Sequence, residues 1–178
     1  GRPEPAILDA IIDSGLKPTV PTDYRRWQPN HWVIEAPDVV VEHGGFDSII
    51  GNPPFLGGKK ITPAMGSDVR EWLVNVTASG VTGNADQVAY FFLRAHSLLS
   101  ENGTIGLIAT NSIAQGDTRE VGLDQMVASG FTITRSVQSR KWPVSTAALE
   151  YAAVWGTTGS VAQDVPRMSD NTYVRHIT

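Results

Sequence analysis

The feature that most restricts this chain is a pair of adjacent prolines, Pro53-Pro54, set just behind the apolar run Phe46-Asp47-Ser48-Ile49-Ile50-Gly51. Proline has no N–H to give to a ladder and its φ is locked near about −65°, so the run can be a strand only if it stops there. Asn52 becomes the last residue before a rigid turn and Phe55 the first after it. In an open α/β sheet, the carboxyl ends of the strands are where ligands bind. An Asn carbonyl oxygen and the Pro53 carbonyl, held by that turn, can accept both hydrogens of one planar NH₂ group. Holding both hydrogens draws the nitrogen toward a pyramidal shape and localises its lone pair, and the Phe55 ring offers a face for a planar group to stack on.

The rest of the chain supplies the sheet. A helix is expected over Pro5–Ser14, with Ile7, Leu8, Ile11 and Ile12 on one face and Gly15 at its end. An irregular, proline-punctuated connector follows over Lys17–Asn30, then a short strand His31–Glu35. Gly57–Gly66 reads as a flexible basic loop, and Ser67 as the cap of a helix to about Val76. The strongest helix opens at Asn84 or Asp86 and is ended by Asn102-Gly103, with Val88, Ala89, Phe91, Phe92, Ala95, Leu98 and Leu99 on its apolar face. Thr104–Thr110 reads as a strand covered on both sides, Arg119–Ser129 as a helix, and Phe131–Ser139 and Ala147–Gly156 as antiparallel strands joined through Arg140-Lys141-Trp142-Pro143. The alternation predicts an α/β fold, a mostly parallel sheet flanked by helices with a C-terminal antiparallel hairpin at one edge. Residues 1–30 are expected as an N-terminal helix and connector, 31–156 as the folded unit, and 157–178 as an irregular tail or linker.

Composition narrows the function classes. The 178 residues suffice for one ordinary core, and a net charge of −4 argues against a surface that binds nucleic acid throughout, though not against a local basic patch. With no Cys, disulfide scaffolds and Cys-ligated zinc or iron–sulfur sites are excluded. His31, His43, His96 and His176 show no i,i+4 pairing with a Glu, so no metal site is expected, and no G-x-S-x-G elbow is present. No apolar run reaches the roughly 18 residues of a membrane span. Gly1, without an initiator Met or a signal pattern, reads as an excision boundary.

The segment Asn52-Pro53-Pro54-Phe55 resembles the catalytic (D/N/S)PP(Y/F) motif of S-adenosylmethionine-dependent amino methyltransferases. With Trp32–Asp38, Phe46–Lys59, Ala85-Asp86 through Tyr90-Phe91-Phe92, and Thr110–Arg119, it resembles the MmeI-like DNA adenine methyltransferases of restriction–modification and phage-defence systems. The likeness runs over about residues 31–156 and implies a partial Rossmann-like methyltransferase sheet. It further implies that Asn52 and Pro53 grip the N6 amino group of a flipped-out adenine, with Pro54 fixing the turn and Phe55 stacking on the base. Phe91 matches the aromatic that packs on the cofactor's adenine, a plain core residue being the other reading. Asn111 either lines the crevice or caps a loop, and Trp142 either meets the far side of the base or packs in its turn. Gln115–Arg119 either touch substrate or, through Asp117 or Thr118, cap the next helix. Lys59, Lys60, Arg140 and Lys141, on loops by the crevice, are candidates for DNA phosphate contact or are solvated surface charge.

One departure stands out. No G-x-G follows an apolar strand before Asn52, so the glycine-rich half of the S-adenosylmethionine site is missing from this chain. The expectation is the C-terminal half of a catalytic domain, its strands the fourth to seventh of a seven-stranded sheet. The parent polypeptide should carry the cofactor-binding half upstream and a separate target-recognition domain for double-stranded DNA. The resemblance implies the cytoplasm of a prokaryote and no membrane partner. Methylation of a protein glutamine amide or an RNA amino group, or a non-catalytic scaffold module, are the other readings of the same residues.

Overall fold

The computed structural model of the protein describes residues 30–142 and 150–177. The helix expected over Pro5–Ser14, nearly all of the connector, Pro143 and the first residues of the strand expected from Ala147 lie outside them. The short strand expected at His31–Glu35 is instead one helical turn, α1 (Trp32–Glu35). The His31 carbonyl accepts from the Ile34 and Glu35 N–H groups at 2.8 and 2.9 Å, while Trp32 sets its ring edge-on to Phe46, centroids 5.3 Å apart. A wide turn, Asp38–Glu42, then leads into β1 (Phe46–Gly51), which ends where the prolines require.

The loop expected over Gly57–Gly66 is also a helix, α2 (Gly58–Met65). Its glycines and Pro63 disguise an amphipathic turn in which Ile61 is fully buried and Met65, four residues on, packs against the core. Next come α3 (Ser67–Trp72) and a wide turn Leu73–Thr77, with Gly66 rather than Ser67 at the N-cap. In α4 (Gln87–Ser97), Asp86 caps the N-terminus by accepting from the Val88 N–H at 3.0 Å. The helix stops earlier than its apolar pattern predicts, because β2 begins at once (Leu99–Ala109). Asn102-Gly103 falls inside that strand, where the register with β1 jumps from Phe46↔Leu99 to Ser48↔Thr104.

A tight turn, Asn111–Ala114, precedes a nearly continuous helical run made of α5 (Gly116–Arg119), the wide turn Glu120–Asp124 and α6 (Gln125–Ala128). β3 (Thr132–Lys141) and β4 (Glu150–Thr157) pair antiparallel, as the alternation predicts. The tail beyond Gly156 is not irregular throughout. It holds β5 (Arg167–Ser169) and β6 (Thr172–Val174), joined by Asp170 and Asn171 at φ 47° and 67°, the left-handed pair that a two-residue hairpin turn demands.

The sheet runs in the order β1-β2-β4-β3-β5-β6. β1, β2, β3 and β5 point one way, and β4 and β6 run against them. The antiparallel strand expected near an edge is therefore interior: β4 sits between β2 and β3, where Ala152, Ala153 and Val154 are buried. Val88, Ala89, Phe92 and Ala95 of α4 join Ile105, Leu107 and Ala109 of β2 and Val121 and Met126 of the helical run in one core cluster. Among the described residues β1 is an edge strand. Its Ile50 is 84% exposed, while β2, the strand expected to be covered on both sides, buries Ile105, Leu107 and Ala109.

Candidate active site

β1 delivers Asn52 to the rim because its ladder with β2 ends at Gly51↔Leu107 and neither proline can extend it. Asn52 is exposed and Pro53 half-buried, and both open on a cavity of about 530 Å³ running along the free edge of β1. From α4 the same cavity receives Phe91 and Arg94, and Trp32 of α1 closes part of its wall. Phe91 is 39% exposed while Tyr90 and Phe92 on either side are buried, which sets aside its reading as a plain core residue. The structure thus brings Asn52, Pro53 and Phe91 together across two elements. Arg94 carries the one formal charge among the described lining residues, and the wall is otherwise apolar or neutral. The sequence assigns a role to neither Arg94 nor Trp32: Arg94 is a polar position of an amphipathic helix, and Trp32 only opens one of the stretches that carry the resemblance.

The other candidates are placed differently. Pro54 is exposed, and Phe55 is half-buried against the core cluster rather than lining this cavity. Lys59 and Lys60 are exposed on the first turn of α2, not on a loop. Arg140 and Lys141 likewise are the last residues of β3, with Lys141 opposite Glu150 in the ladder. Asn111, just past the end of β2, has both ends of its amide engaged. Its Oδ1 accepts from the Ser139 N–H at 3.0 Å, and its Nδ2 donates to Glu150 at 3.3 Å, tying the ends of β2, β3 and β4 together. Trp142, at the end of β3, sits edge-on to Tyr151 with centroids 5.4 Å apart.

Gln115–Arg119 give a third outcome. Gln115 stands at the N-cap of α5, and neither Asp117 nor Thr118 caps it. Instead the Asp117 carboxylate accepts from the Asn84 N–H at 2.5 Å and the Thr118 hydroxyl from the Asp86 N–H at 3.0 Å, so both serve the loop that leads into α4. Nearby, burial pushes the Tyr90 phenol above its ordinary range, against the opposing pull of Arg70, which donates to its hydroxyl at 3.0 Å. Tyr90 does not line the cavity with Asn52 and acts as part of the core. Among the described residues, no group of three His, Asp or Glu is placed to hold a metal, and no helix is long and apolar enough to cross a membrane.

The sequence profile of the Eco57I restriction-modification methylase family matches residues 7–139. The chain belongs to that family. Within the curated proteins, DNA methyltransferase A of Bacillus subtilis (strain 168) is 26% identical over 98 residues, which is 53% of this chain and 10% of that protein. Among solved structures, the type IIL restriction-modification enzyme MmeI in complex with DNA superposes with a TM-score of 0.57 at 19% identity, over 73% of this chain and 17% of that one. That likeness is one of fold, and it agrees with the mixed sheet and flanking helices of this chain. The chain spans about a tenth of the curated relative's length.

Proposed function

We propose that this chain is the motif-bearing half of a restriction–modification DNA methyltransferase that moves a methyl group from S-adenosylmethionine to adenine N6. The observation that carries the reading is the shared cavity: Asn52 and Pro53 at the end of β1 face the same space as the exposed Phe91 of α4. About 530 Å³ lies within the range of small-molecule sites, and Phe91 and Ile50, which line the same cavity, suit a flat heteroaromatic group. The residues present fit one part of the cofactor only. No carboxylate lines the described cavity for ribose hydroxyls, and the glycine-rich turn is not in this sequence.

When bound, S-adenosylmethionine supplies a methyl group on a positively charged sulfur. Asn52 Oδ1 and the Pro53 carbonyl accept the two N6 hydrogens and hold the lone pair toward that methyl. Methyl supply is the cofactor's part; this chain's Asn52 and Pro53 hold N6 while it gains the methyl and gives up one of its two protons to solvent. Phe55 stacks on the extruded base once it turns out from the core, and Lys59, Lys60, Arg140 and Lys141 meet phosphates. Asn111 and Trp142 shape the same rim. In the parent protein, an upstream half completes the cofactor site beside the free edge of β1, a further domain reads double-stranded DNA, and the whole acts in a prokaryotic cytoplasm. The isolated chain is expected to bind cofactor weakly or not at all and not to turn over.

The test is transfer of labelled methyl by the full-length protein to duplex DNA, RNA and protein offered separately, with the product nucleoside identified by mass spectrometry. Label recovered as N6-methyladenine in duplex DNA supports the reading. Label in RNA or in a glutamine amide alone, or none at all, overturns it.

A further inference from the structure

The Asn-Pro-Pro-Phe segment has little of its own to hold it, because two consecutive prolines remove two backbone donors just where the strand ladder ends. The next residue, Leu56, is tightly held. Its N–H donates to Asp86 Oδ1 at 3.3 Å across 30 residues of sequence, and its carbonyl accepts from the Gln87 N–H at 2.9 Å. Both backbone polar groups of Leu56 are thus taken by the first residues of the helix that carries Phe91. The same Asp86 oxygen accepts from the Val88 N–H at 3.0 Å, the ordinary capping bond. The Asp86 N–H donates to the hydroxyl of Thr118, a buried residue 6% exposed.

We propose that Asp86 is a positioning residue: it locks the trailing end of the Asn52–Phe55 segment to the start of α4 and so fixes the separation of Asn52 from Phe91. The inference rests on the methyl-transfer reading above. Capping alone would be served by Ser, Thr or Asn, whereas the bridge to Leu56 needs an acceptor that reaches past the cap. Asn keeps that reach and Ser does not. Losing the bridge lets the motif shift against the cofactor wall, and a misplacement of about 1 Å costs a transfer rate about a hundredfold.

The experiment compares Asp86→Asn, Asp86→Ser and Asp86→Ala in the full-length protein by melting temperature, amide hydrogen exchange at Leu56 against Ile105, and single-turnover methyl transfer. Asp86→Asn should resemble wild type in all three. Asp86→Ser should melt with Asp86→Asn, exchange the Leu56 amide at least about tenfold faster with Ile105 unchanged, and lose at least about tenfold in transfer rate at unaltered DNA KM. Asp86→Ala should show the same losses with a lower melting temperature. If Asp86→Ser matches Asp86→Asn in exchange and rate, or its rate falls only as its melting temperature falls, Asp86 is merely a cap and the proposal is wrong. A wild-type protein that transfers no methyl to any acceptor would overturn the functional reading and the rate consequence with it. The Leu56 exchange would then judge the bridge by itself.

Discussion

Replacing Gly58 with Ala should destabilise the protein, although helix propensity alone predicts the reverse. Gly58 opens α2 at an ordinary negative φ, where Ala is allowed and gains at most about 1 kcal/mol over Gly. The structure opposes that gain. A Cβ on Gly58 would overlap the Asn84 carbonyl and stand 2.6 Å from the Ala85 carbonyl oxygen. These are backbone atoms, and their loop is pinned by the Asn84–Asp117 and Asp86–Thr118 hydrogen bonds, so it cannot yield as a side-chain tip would. Relieving the overlap requires a shift of nearly 1 Å in a packed region, which falls at the upper end of overpacking costs, about 3 kcal/mol. The net is a loss of about 2 kcal/mol once the helix gain of about 1 kcal/mol is subtracted. Gly57→Ala is the matched control, because a Cβ there meets nothing within 4 Å. Urea unfolding followed by tryptophan fluorescence should place the Gly58→Ala midpoint clearly below wild type and leave Gly57→Ala within about 0.5 kcal/mol. A Gly58→Ala variant as stable as Gly57→Ala would refute the close approach of α2 to the 84–86 loop.

Two further outcomes concern the core and the surface. Burial pushes the His96 imidazole, edge-on to Phe131 at 5.6 Å, below its ordinary value of 6.5, so the folded chain resists a proton that the unfolded chain accepts. Stability should therefore decline as pH falls below 6.5 and be independent of His96 above it. His96→Phe should flatten that decline in urea midpoints taken at about pH 7.5 and 5.5, and an unchanged slope would contradict the assignment. Replacing Lys59 and Lys60 together with Gln should lower the slope of log DNA affinity against log salt by about 2 in the full-length protein. An unaltered slope would make the pair solvated surface charge.

The parts of the fold legible in the sequence are those whose burial leaves a periodic trace. β1 is bounded by its prolines, α4 shows a broad apolar face, and β3 alternates along its first half. The misread parts lack such a trace. Trp32-Val33-Ile34 are strand-forming residues that pair with no strand among the described residues, and with Glu35 they close a helical turn against Phe46 instead. α2 hides behind two glycines and Pro63, although Ile61 and Met65 at i,i+4 were available as its signal. β5 and β6 are three residues each, too short for alternation to register, yet Asp170-Asn171 was a turn signal of the right kind. At the candidate site, Asn52 and Pro53 were legible because a rim position is dictated by where a strand must end. Asn111 was not decidable, since only the spatial convergence of three strand ends shows that both ends of its amide are engaged. The bridge from Asp86 to Leu56 was invisible for the same reason: a contact across 30 residues has no local signature.

The amide of Asn52 is the group on which the proposed chemistry depends, and single-turnover methyl transfer by the full-length Asn52→Ala variant probes it most directly. With duplex DNA and S-adenosylmethionine both prebound, the rate should drop at least about a hundredfold, while affinity for each stays within about threefold of wild type. Transfer to adenine continuing at the wild-type rate would mean that the nitrogen is activated by some other group.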